Sequence, residues 1–260
     1  MGKKLWILFF CLSLTVSGCA TRPTDPEELK VYEETNDPFE PANRGIHAFN
    51  QAADKAILKP IAKGYRKVVP AFVRTSVSNF FDNLTQPVHL VNALLQGQVK
   101  DAGSILARFT VNSIWGFFGL FDVATDAGID NPANDFGQTL AKWGWRGDGG
   151  PFIMLPFLGP SSVRDGIGLG VDAVGHPLGW ALWNERELHY GLLAVDGVKT
   201  REEALDLLDD LEKSSTDYYA TLRSMSRQNR KKKINAILGE QEQEEKPDYE
   251  VDFSDIEWED

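Results

Sequence analysis

Apolar residues recur at spacings of three and four along most of the chain, a pattern typical of amphipathic helices. The segment Asp37–Glu40 predicts the start of the first helix, with an N-cap, a proline at the first helical position and a carboxylate three residues after the cap. This helix is predicted to end near Pro60. Its apolar stripe consists of Ile46, Phe49, Ala53 and Ile57.

The same periodicity predicts three more helices in the middle of the chain. One runs through residues 73–84, a separate one begins at Pro87 and ends at Gly97, and a third runs from about Asp101 to Ile114. Proline is the reason for separating the first two, because it lacks the N–H that a helix interior requires.

The second half of the chain contains weaker signals. Pro151 and Pro156 bracket an apolar tetrad, so the segment near Phe152 is predicted to be extended. Ser161 or Ser162 is predicted to cap the next helix. Two later helix starts are also predicted. A capping box of Thr200 and Glu203 marks the first, and a cap at Ser215 or Thr216 marks the second. With no other strand signal, the fold class is mainly α, a single domain of amphipathic helices.

The N-terminus has the layout of a secretory signal peptide, with Lys3 and Lys4 before an apolar run over residues 5–14. The Val-Ser-Gly-Cys sequence ending at Cys19 resembles the lipobox of bacterial lipoproteins, which predicts cleavage after residue 18 and lipidation of Cys19. Ala20 follows, and not the aspartate of inner-membrane retention, so outer-membrane localisation is expected. The alternative is an ordinary cleavable signal with a chance cysteine.

Charge is concentrated at the C-terminus of this 260-residue chain, whose formal net charge is −11. Residues 240–260 contain eleven acidic side chains and one lysine, and a basic cluster at residues 223–233 precedes them. This arrangement favours a solvated tail or, alternatively, an electrostatic docking site. The predicted divisions are a signal peptide (1–18), a flexible tether (19–35), a helical domain (36–230) and a charged, disordered tail (231–260).

The most apolar part of the predicted mature chain is Trp115–Phe121, which follows the helix ending at Ile114. Together with the preceding helix it is interrupted by Arg108, Asn112 and the glycines, so the region is not a plausible membrane span. Two interpretations remain open, a core helix and turn of a soluble domain or helices lying in the membrane plane.

Catalytic and cofactor motifs are missing from the sequence. The segment around Ser161 lacks the final glycine of a nucleophile elbow, and the four histidines have no metal-ligand spacing. Gly191–Thr200 is a near miss of a phosphate-binding loop, and the glycines at 166–170 lack dinucleotide-binding spacing. The predictions are therefore no catalytic residue, no metal, no cofactor and no enzymatic activity.

Several motifs together resemble the VacJ or MlaA lipoproteins over about residues 36–227. They are the lipobox, the Asn-Asp-Pro-Phe-Glu entry at residues 36–40 with Asn43, Arg44, Phe49 and Asn50, the segment 135–140, and the Leu-Pro to Arg-Asp segment at residues 155–165. The acidic end beyond Glu240 is not part of this resemblance.

The resemblance implies a helical ring embedded in the inner leaflet of the outer membrane and anchored on its periplasmic side. An amphipathic channel through the ring would remove mislocalised phospholipids from the outer leaflet and pass them to a soluble periplasmic carrier, which maintains lipid asymmetry. The implied partners are phospholipids, a trimeric porin, that carrier and, indirectly, an inner-membrane ABC transporter complex, with no nucleic acid. The alternative is a structural lipoprotein that scaffolds a porin or envelope complex.

Within this expectation, polar side chains would face the headgroup path and aromatic ones the acyl chains. The candidate lipid-path residues are Arg44, Phe49, Asn50, Trp115, Phe117, Phe118 and Arg164. For Arg164, a second interpretation is a structural pair with Asp165 that fixes the start of a helix.

Overall fold

Helices account for most of the chain that the computed structural model describes, which is residue 20 and residues 22–240. The α-helices are α1 (Pro26–Thr35), α2 (Glu40–Ala53), α3 (Lys59–Val68), α4 (Ala71–Leu95), α5 (Val99–Ile114), α6 (Val123–Asp126), α7 (Phe136–Lys142), α8 (Val163–Gly175), α9 (Pro177–Ala181), α10 (Arg186–Glu203), α11 (Leu205–Ser214) and α12 (Tyr218–Leu238). Two strands, β1 (Phe152–Leu155) and β2 (Gly159–Ser162), form an antiparallel hairpin. The prediction of a mainly α, single-domain fold is confirmed. The predicted signal peptide, Cys19 and the acidic tail after residue 240 lie outside the described residues.

The first predicted helix does not end near Pro60. A π-helical segment, Asp54–Leu58, connects α2 directly to α3, and Pro60 lies in the first turn of α3. The N–H of Lys59 donates to the carbonyl of Asp54, five residues earlier. This wider turn lets the helix continue past a residue that has no N–H to donate.

Pro87 does not separate two helices, because α4 runs unbroken through it. A proline in a helix interior costs about 3 kcal/mol. Burial on both sides of the proline opposes this cost: Phe81 lies before it and Val88 after it in the interior. Farther along, Ala93 packs with Ala102 and Ile105 of α5. Packing against the rest of the domain therefore outweighs the local tendency of Pro87 to break the helix.

Two further predicted helix starts, at Thr200 and at Ser215 or Thr216, are also wrong. Thr200 and Glu203 form the end of α10, where Glu203 accepts a 2.6 Å hydrogen bond from Ser78 Oγ. Asp217 caps α12 by accepting from the Ala220 N–H, so Ser215 and Thr216 do not. Ser162 does cap α8, and the extended segment near Phe152 is β1.

Two predicted boundaries also differ from the structure. Part of the predicted tether is helical, because Asp25 caps α1 with a proline in its first turn. Helix α12 continues to Leu238, beyond the predicted boundary at residue 230, and buries Ile234 and Ile237. Apolar side chains just after the basic cluster thus extend the folded domain.

No helix within residues 22–240 is both long and apolar enough to cross a membrane.

Candidate functional site

Apolar side chains are distributed unusually in the described part of the chain. Thirty-three large hydrophobic side chains are exposed, whereas fourteen hydrophobic residues are buried and five of those are alanines. Fifteen polar or charged residues are buried beside them. Soluble proteins rarely expose large apolar patches without a partner or membrane to cover them. The helices therefore present apolar residues outward around a polar interior.

The segment from Trp115 to Phe121 is the clearest part of this apolar exterior. Trp115, Phe117, Phe118 and Phe121 are all exposed, with Phe118 at 71%. Phe117 and Phe118 have left-handed backbone conformations (φ 51° and 59°), which are strained for bulky residues. The loop therefore holds its aromatic rings outward at a conformational cost.

An ion pair between the buried Arg108 and the partly exposed Asp122 holds this loop in place. Arg108 Nη2 lies 2.8 Å from both carboxylate oxygens of Asp122, immediately after the loop, and Asn112 Nδ2 donates to the same carboxylate at 3.0 Å. Arg108 Nη1 also donates to the Ile129 carbonyl at 2.7 Å. These contacts fix both ends of the aromatic loop to α5.

The polar interior contains a chain of hydrogen bonds between α4 and α7. Gln96 Nε2 donates to Thr139 Oγ1 at 3.0 Å, and Thr139 Oγ1 donates to Asn92 Oδ1 at 2.9 Å. Asn134 Nδ2 donates to Gln96 Oε1 at 2.7 Å, and Asn92 Nδ2 donates to Asp172 at 2.8 Å. Burial raises the pKa of Asp172. Each of these four side chains has a partner, whereas two other buried amide oxygens of α4, Asn83 Oδ1 and Gln86 Oε1, have none among the described residues.

An open cavity of about 370 Å³ lies between the hairpin, α8 and α12. Leu155, Leu158 and Leu169 supply apolar surface, whereas Lys231 and Lys233 contribute positive charge from α12. A cavity of this size and mixed character can accept an amphipathic ligand.

Arg230 occupies the charged side of this cavity. Its guanidinium donates to both carboxylate oxygens of Asp135 at 2.6 and 2.7 Å and to Asp165 at 2.7 Å. Burial would raise the pKa of Asp135, but the hydrogen bonds from Arg230 outweigh it and hold that pKa below its usual value. The charged wall is thus a set of fixed ion pairs.

Arg164 lies beneath this wall and has no exposed surface (0%). Its Nη1 donates to the carbonyls of Trp145 and Gly147, both at 3.0 Å, and its Nε donates to Asp165 at 3.0 Å. These contacts agree with the second interpretation, in which Arg164 and Asp165 fix the start of α8. Arg164 also lies among the residues that line the cavity, and its role on a lipid path stays a prediction.

Arg44 contacts α12. Its guanidinium forms a bidentate pair with Asp217 at 2.6 and 3.2 Å and also donates to Glu40 at 2.7 Å. Because Asp217 accepts these hydrogen bonds from Arg44, its pKa falls to about 2. The contacts connect α2 to the start of α12, and the role of Arg44 on a lipid path stays a prediction.

The predicted N-cap Asp37 has a different role, since Phe39 precedes α2 without a side-chain cap. Asp37 is 2% exposed and accepts hydrogen bonds from Tyr219 Oη (2.5 Å), Arg223 (2.7 Å) and Asn43 (2.8 Å). Burial and this carboxylate raise the pKa of Tyr219. The N-terminal motif is therefore an anchor between the first and last long helices.

Phe49 and Asn50 hold the tip of the hairpin. Asn50 Nδ2 donates to the Leu155 carbonyl at 2.9 Å, and the Phe157 N–H donates to Asn50 Oδ1 at 2.8 Å. The rings of Phe49 and Phe157 are 5.2 Å apart and edge-on. These contacts place both residues beside the cavity-lining hairpin, and their contact with lipid stays a prediction.

The predicted lipid-path residues do not converge on one place. Phe49 and Asn50 meet the hairpin and Arg44 meets α12, whereas Trp115, Phe117 and Phe118 form the separate outer loop. The sequence analysis missed Asp135, Arg230 and the buried amides of α4. A signal for the amides was present, because Asn92 interrupts the apolar run at residues 88–95 and Gln96 follows directly after it.

No group of three or more acidic, cysteine or histidine side chains within residues 22–240 is arranged to hold a metal ion.

The chain is similar to proteins that share its length and sequence pattern. The family model described as MlaA lipoprotein matches residues 35–233. The "Intermembrane phospholipid transport system lipoprotein MlaA" of Shigella flexneri is 35% identical over 79% of each chain. The Haemophilus influenzae protein of the same name is 31% identical over 90% of this chain and 92% of its own. An uncharacterized protein of Rickettsia typhi is 34% identical over 75% of each chain.

A solved structure, described as "Structural basis for maintenance of bacterial outer membrane lipid asymmetry", has the same fold. It is 34% identical, superposes with a TM-score of 0.66, and covers 76% of this chain and 99% of its own. Apart from the lipobox, the motifs that carried the resemblance lie within the region that the family model matches. The chain therefore belongs to the MlaA lipoprotein family.

Proposed function

We propose that this protein is a lipid-anchored outer-membrane protein that removes mislocalised phospholipids from the outer leaflet and maintains lipid asymmetry. Phospholipids enter an amphipathic channel and pass to a soluble periplasmic carrier. A trimeric porin holds the protein in the membrane, and an inner-membrane ABC transporter complex completes the route. The protein performs no catalytic step of its own.

The observation that carries this proposal is the outward-facing apolar surface around a polar, hydrogen-bonded interior. A helix bundle that lies in a leaflet needs apolar side chains against the acyl chains. A route for a charged headgroup needs polar groups inside, because crossing hydrocarbon with an unsolvated charge is costly. The described helices have apolar side chains outside and polar groups inside, which supports this proposal.

The cavity between the hairpin, α8 and α12 supports the amphipathic part of the route. Its leucine wall suits an acyl chain, and Lys231 and Lys233 suit a phosphate. A non-transporting scaffold has no need of such a cavity. The names of the Shigella and Haemophilus relatives, which refer to phospholipid transport, point in the same direction.

The test is a gene deletion followed by an assay of phospholipid on the outer cell surface. Wild type and Cys19→Ala forms are returned separately at equal protein levels. Surface phospholipid is expected to rise on deletion and to return to normal only with the wild type, because the anchor holds the protein in the membrane. Unchanged surface phospholipid after deletion would instead favour the scaffold.

A further inference from the structure

The basic cluster at residues 223–233 divides into two groups of side chains in the structure. Its three lysines, Lys231, Lys232 and Lys233, are exposed and form no ion pair or side-chain hydrogen bond with any residue that the structure describes. They form the lysine cluster, whose charge is available to a further partner. The arginines, by contrast, are paired within the domain, Arg223 with Asp37, Arg227 with Asp148 and Arg230 with Asp135.

The lysine cluster lies beside the cavity between the hairpin, α8 and α12. Lys231 and Lys233 line this cavity, together with Gly147 of the loop before the hairpin. Leu158 and Leu169 line it as well, and both are exposed. This side of the domain therefore presents positive charge next to open apolar surface.

The end of α12 brings the chain to the same loop. Gly239 ends the helix in a left-handed conformation (φ 72°), and the Glu240 N–H donates to the Asn235 carbonyl at 3.0 Å. Such a C-cap turns the chain away from the helix axis. Glu240 Oε1 then lies 3.6 Å from Nη1 of Arg146, the residue before Gly147. The first acidic residue of the C-terminal run is thus already in contact with a cation next to the cavity.

Residues 241–260 have the charge and the reach to contact the lysine cluster. They contain ten acidic side chains and one lysine. Lys231 is seven residues before the end of α12, which is roughly 10 Å along the helix axis. A flexible segment of this length spans about 25 Å on average. Because the segment is tethered to the helix, its effective concentration at the lysines is high and weak individual contacts suffice.

The same segment also contains apolar residues. Tyr249, Val251 and Phe253 alternate with Glu250 and Asp252. Acidic segments that serve only to solvate a chain are typically poor in aromatic residues. Acidic side chains could meet the lysines while the apolar ones meet the exposed leucines of the cavity. The composition of the segment therefore matches the mixed surface beside α12.

We propose that residues 241–260 fold back and dock on the lysine cluster of the same chain, held mainly by charge. Opposite charges favour this contact, and a tethered segment needs no second binding partner. The docked segment covers the two lysines that the proposed function assigns to a phosphate. That consequence rests on the proposed function, whereas the docking itself does not.

Double electron–electron resonance on the full, lipidated chain in detergent tests the docking. Spin labels at Gln228→Cys, an exposed position of α12, and at Ser254→Cys report the distance between the helix and the segment, since the expected lipidation blocks Cys19. We expect a short-distance population at low salt. This population should fall at least about threefold in about 0.5 M sodium chloride, because salt screens exposed charges.

Two matched triple variants show whether the lysine cluster is the docking site. Replacing Lys231, Lys232 and Lys233 by glutamine should remove the short-distance population at low salt. Replacing three exposed lysines elsewhere by glutamine removes the same charge and should leave the population unchanged; these are Lys67, Lys100 and Lys213.

The proposal is overturned if the lysine-cluster variant gives the same distances as wild type, or if the control variant loses the short distances as well. A short distance of equal strength in a mixture of two singly labelled chains would place the segment on a second copy, which also overturns the proposal. Because the measurement uses no phospholipid, it is independent of the gene-deletion assay. Unchanged surface phospholipid in that assay would contradict the proposed function and leave the docking intact.

Discussion

Buried arginines carry much of the internal architecture of this protein. Arg108 and Arg164 are almost or completely inaccessible, and each donates to both a carboxylate and backbone carbonyls of a loop. Burying a guanidinium is costly unless it is paired and hydrogen-bonded, and both Nη atoms of Arg108 have acceptors although its Nε has none among the described residues. The planar fork of arginine satisfies several acceptors at once, which a lysine cannot do. Hydrogen bonds from these two arginines therefore hold the loops that they contact in place.

Removing the Arg164 side chain should therefore unfold the region around α8. Arg164→Ala leaves the Trp145 and Gly147 carbonyls without their donor, and we expect the free energy of unfolding to fall by about 3 kcal/mol. Urea unfolding in detergent measures this loss. Arg146→Ala, at an exposed arginine between Trp145 and Gly147 in the same loop, should change it little. Normal stability of Arg164→Ala with impaired lipid asymmetry would instead support a role of Arg164 on the lipid path.

At the scale of elements, the aromatic loop after α5 combines strain with rigid support. Two glycines make its tight path possible: a Cβ on Gly116 would lie 2.2 Å from the Phe121 carbonyl oxygen, and one on Gly119 would lie 2.5 Å from Asn83 Cβ. Gly119 also has a positive φ of 89°. The loop is thus built for one conformation, and not for flexibility.

A methyl group at Gly116 should consequently displace the loop. Gly116→Ala is expected to lower the free energy of unfolding by about 2 kcal/mol, because backbone atoms must move to admit the Cβ. The matched control is Gly103→Ala in the interior of α5, where nothing lies within 4 Å of the new atom. That control should raise stability by up to about 1 kcal/mol through helix propensity. Equal stabilities of the two variants would contradict the close contact between residue 116 and the Phe121 carbonyl.

At the scale of the whole molecule, stability and membrane contact are expected to oppose each other at the aromatic loop. Phe117 and Phe118 are both exposed and both in left-handed conformations. A protein selected only for folding would place asparagine or glycine there. Lipid that covers the two aromatic rings would explain why they occupy these strained, exposed positions.

Replacing both Phe117 and Phe118 should change folding stability and membrane binding in different directions. Phe117→Asn with Phe118→Asn is expected to keep or raise the free energy of unfolding, since asparagine tolerates positive φ. In a Cys19→Ala background, vesicle flotation should show at least about tenfold weaker binding, because two apolar rings no longer enter the membrane. Val31→Asn, at an exposed apolar position of α1, serves as the control. Unchanged flotation of the double variant would place the loop outside the membrane.

The sequence by itself determined the local structure of much of this protein. The three- and four-residue periodicity predicted the amphipathic helices, Ser162 predicted the start of α8, and the paired prolines predicted the extended segment that became β1. These signals are local, because helix caps and prolines act on neighbouring backbone groups. The motif combination at residues 36–40 and 155–165 also predicted the family.

Only the tertiary structure decided which faces are buried and which polar groups meet. Periodicity says which residues share a face of a helix, but an apolar stripe looks the same whether a core or a lipid leaflet covers it. Ion pairs such as Arg230–Asp135, 95 residues apart, depend on the packing of distant elements and leave no local signal. Packing likewise overrode Pro60, Pro87 and the Thr200 capping box, because long-range burial outweighs local preference.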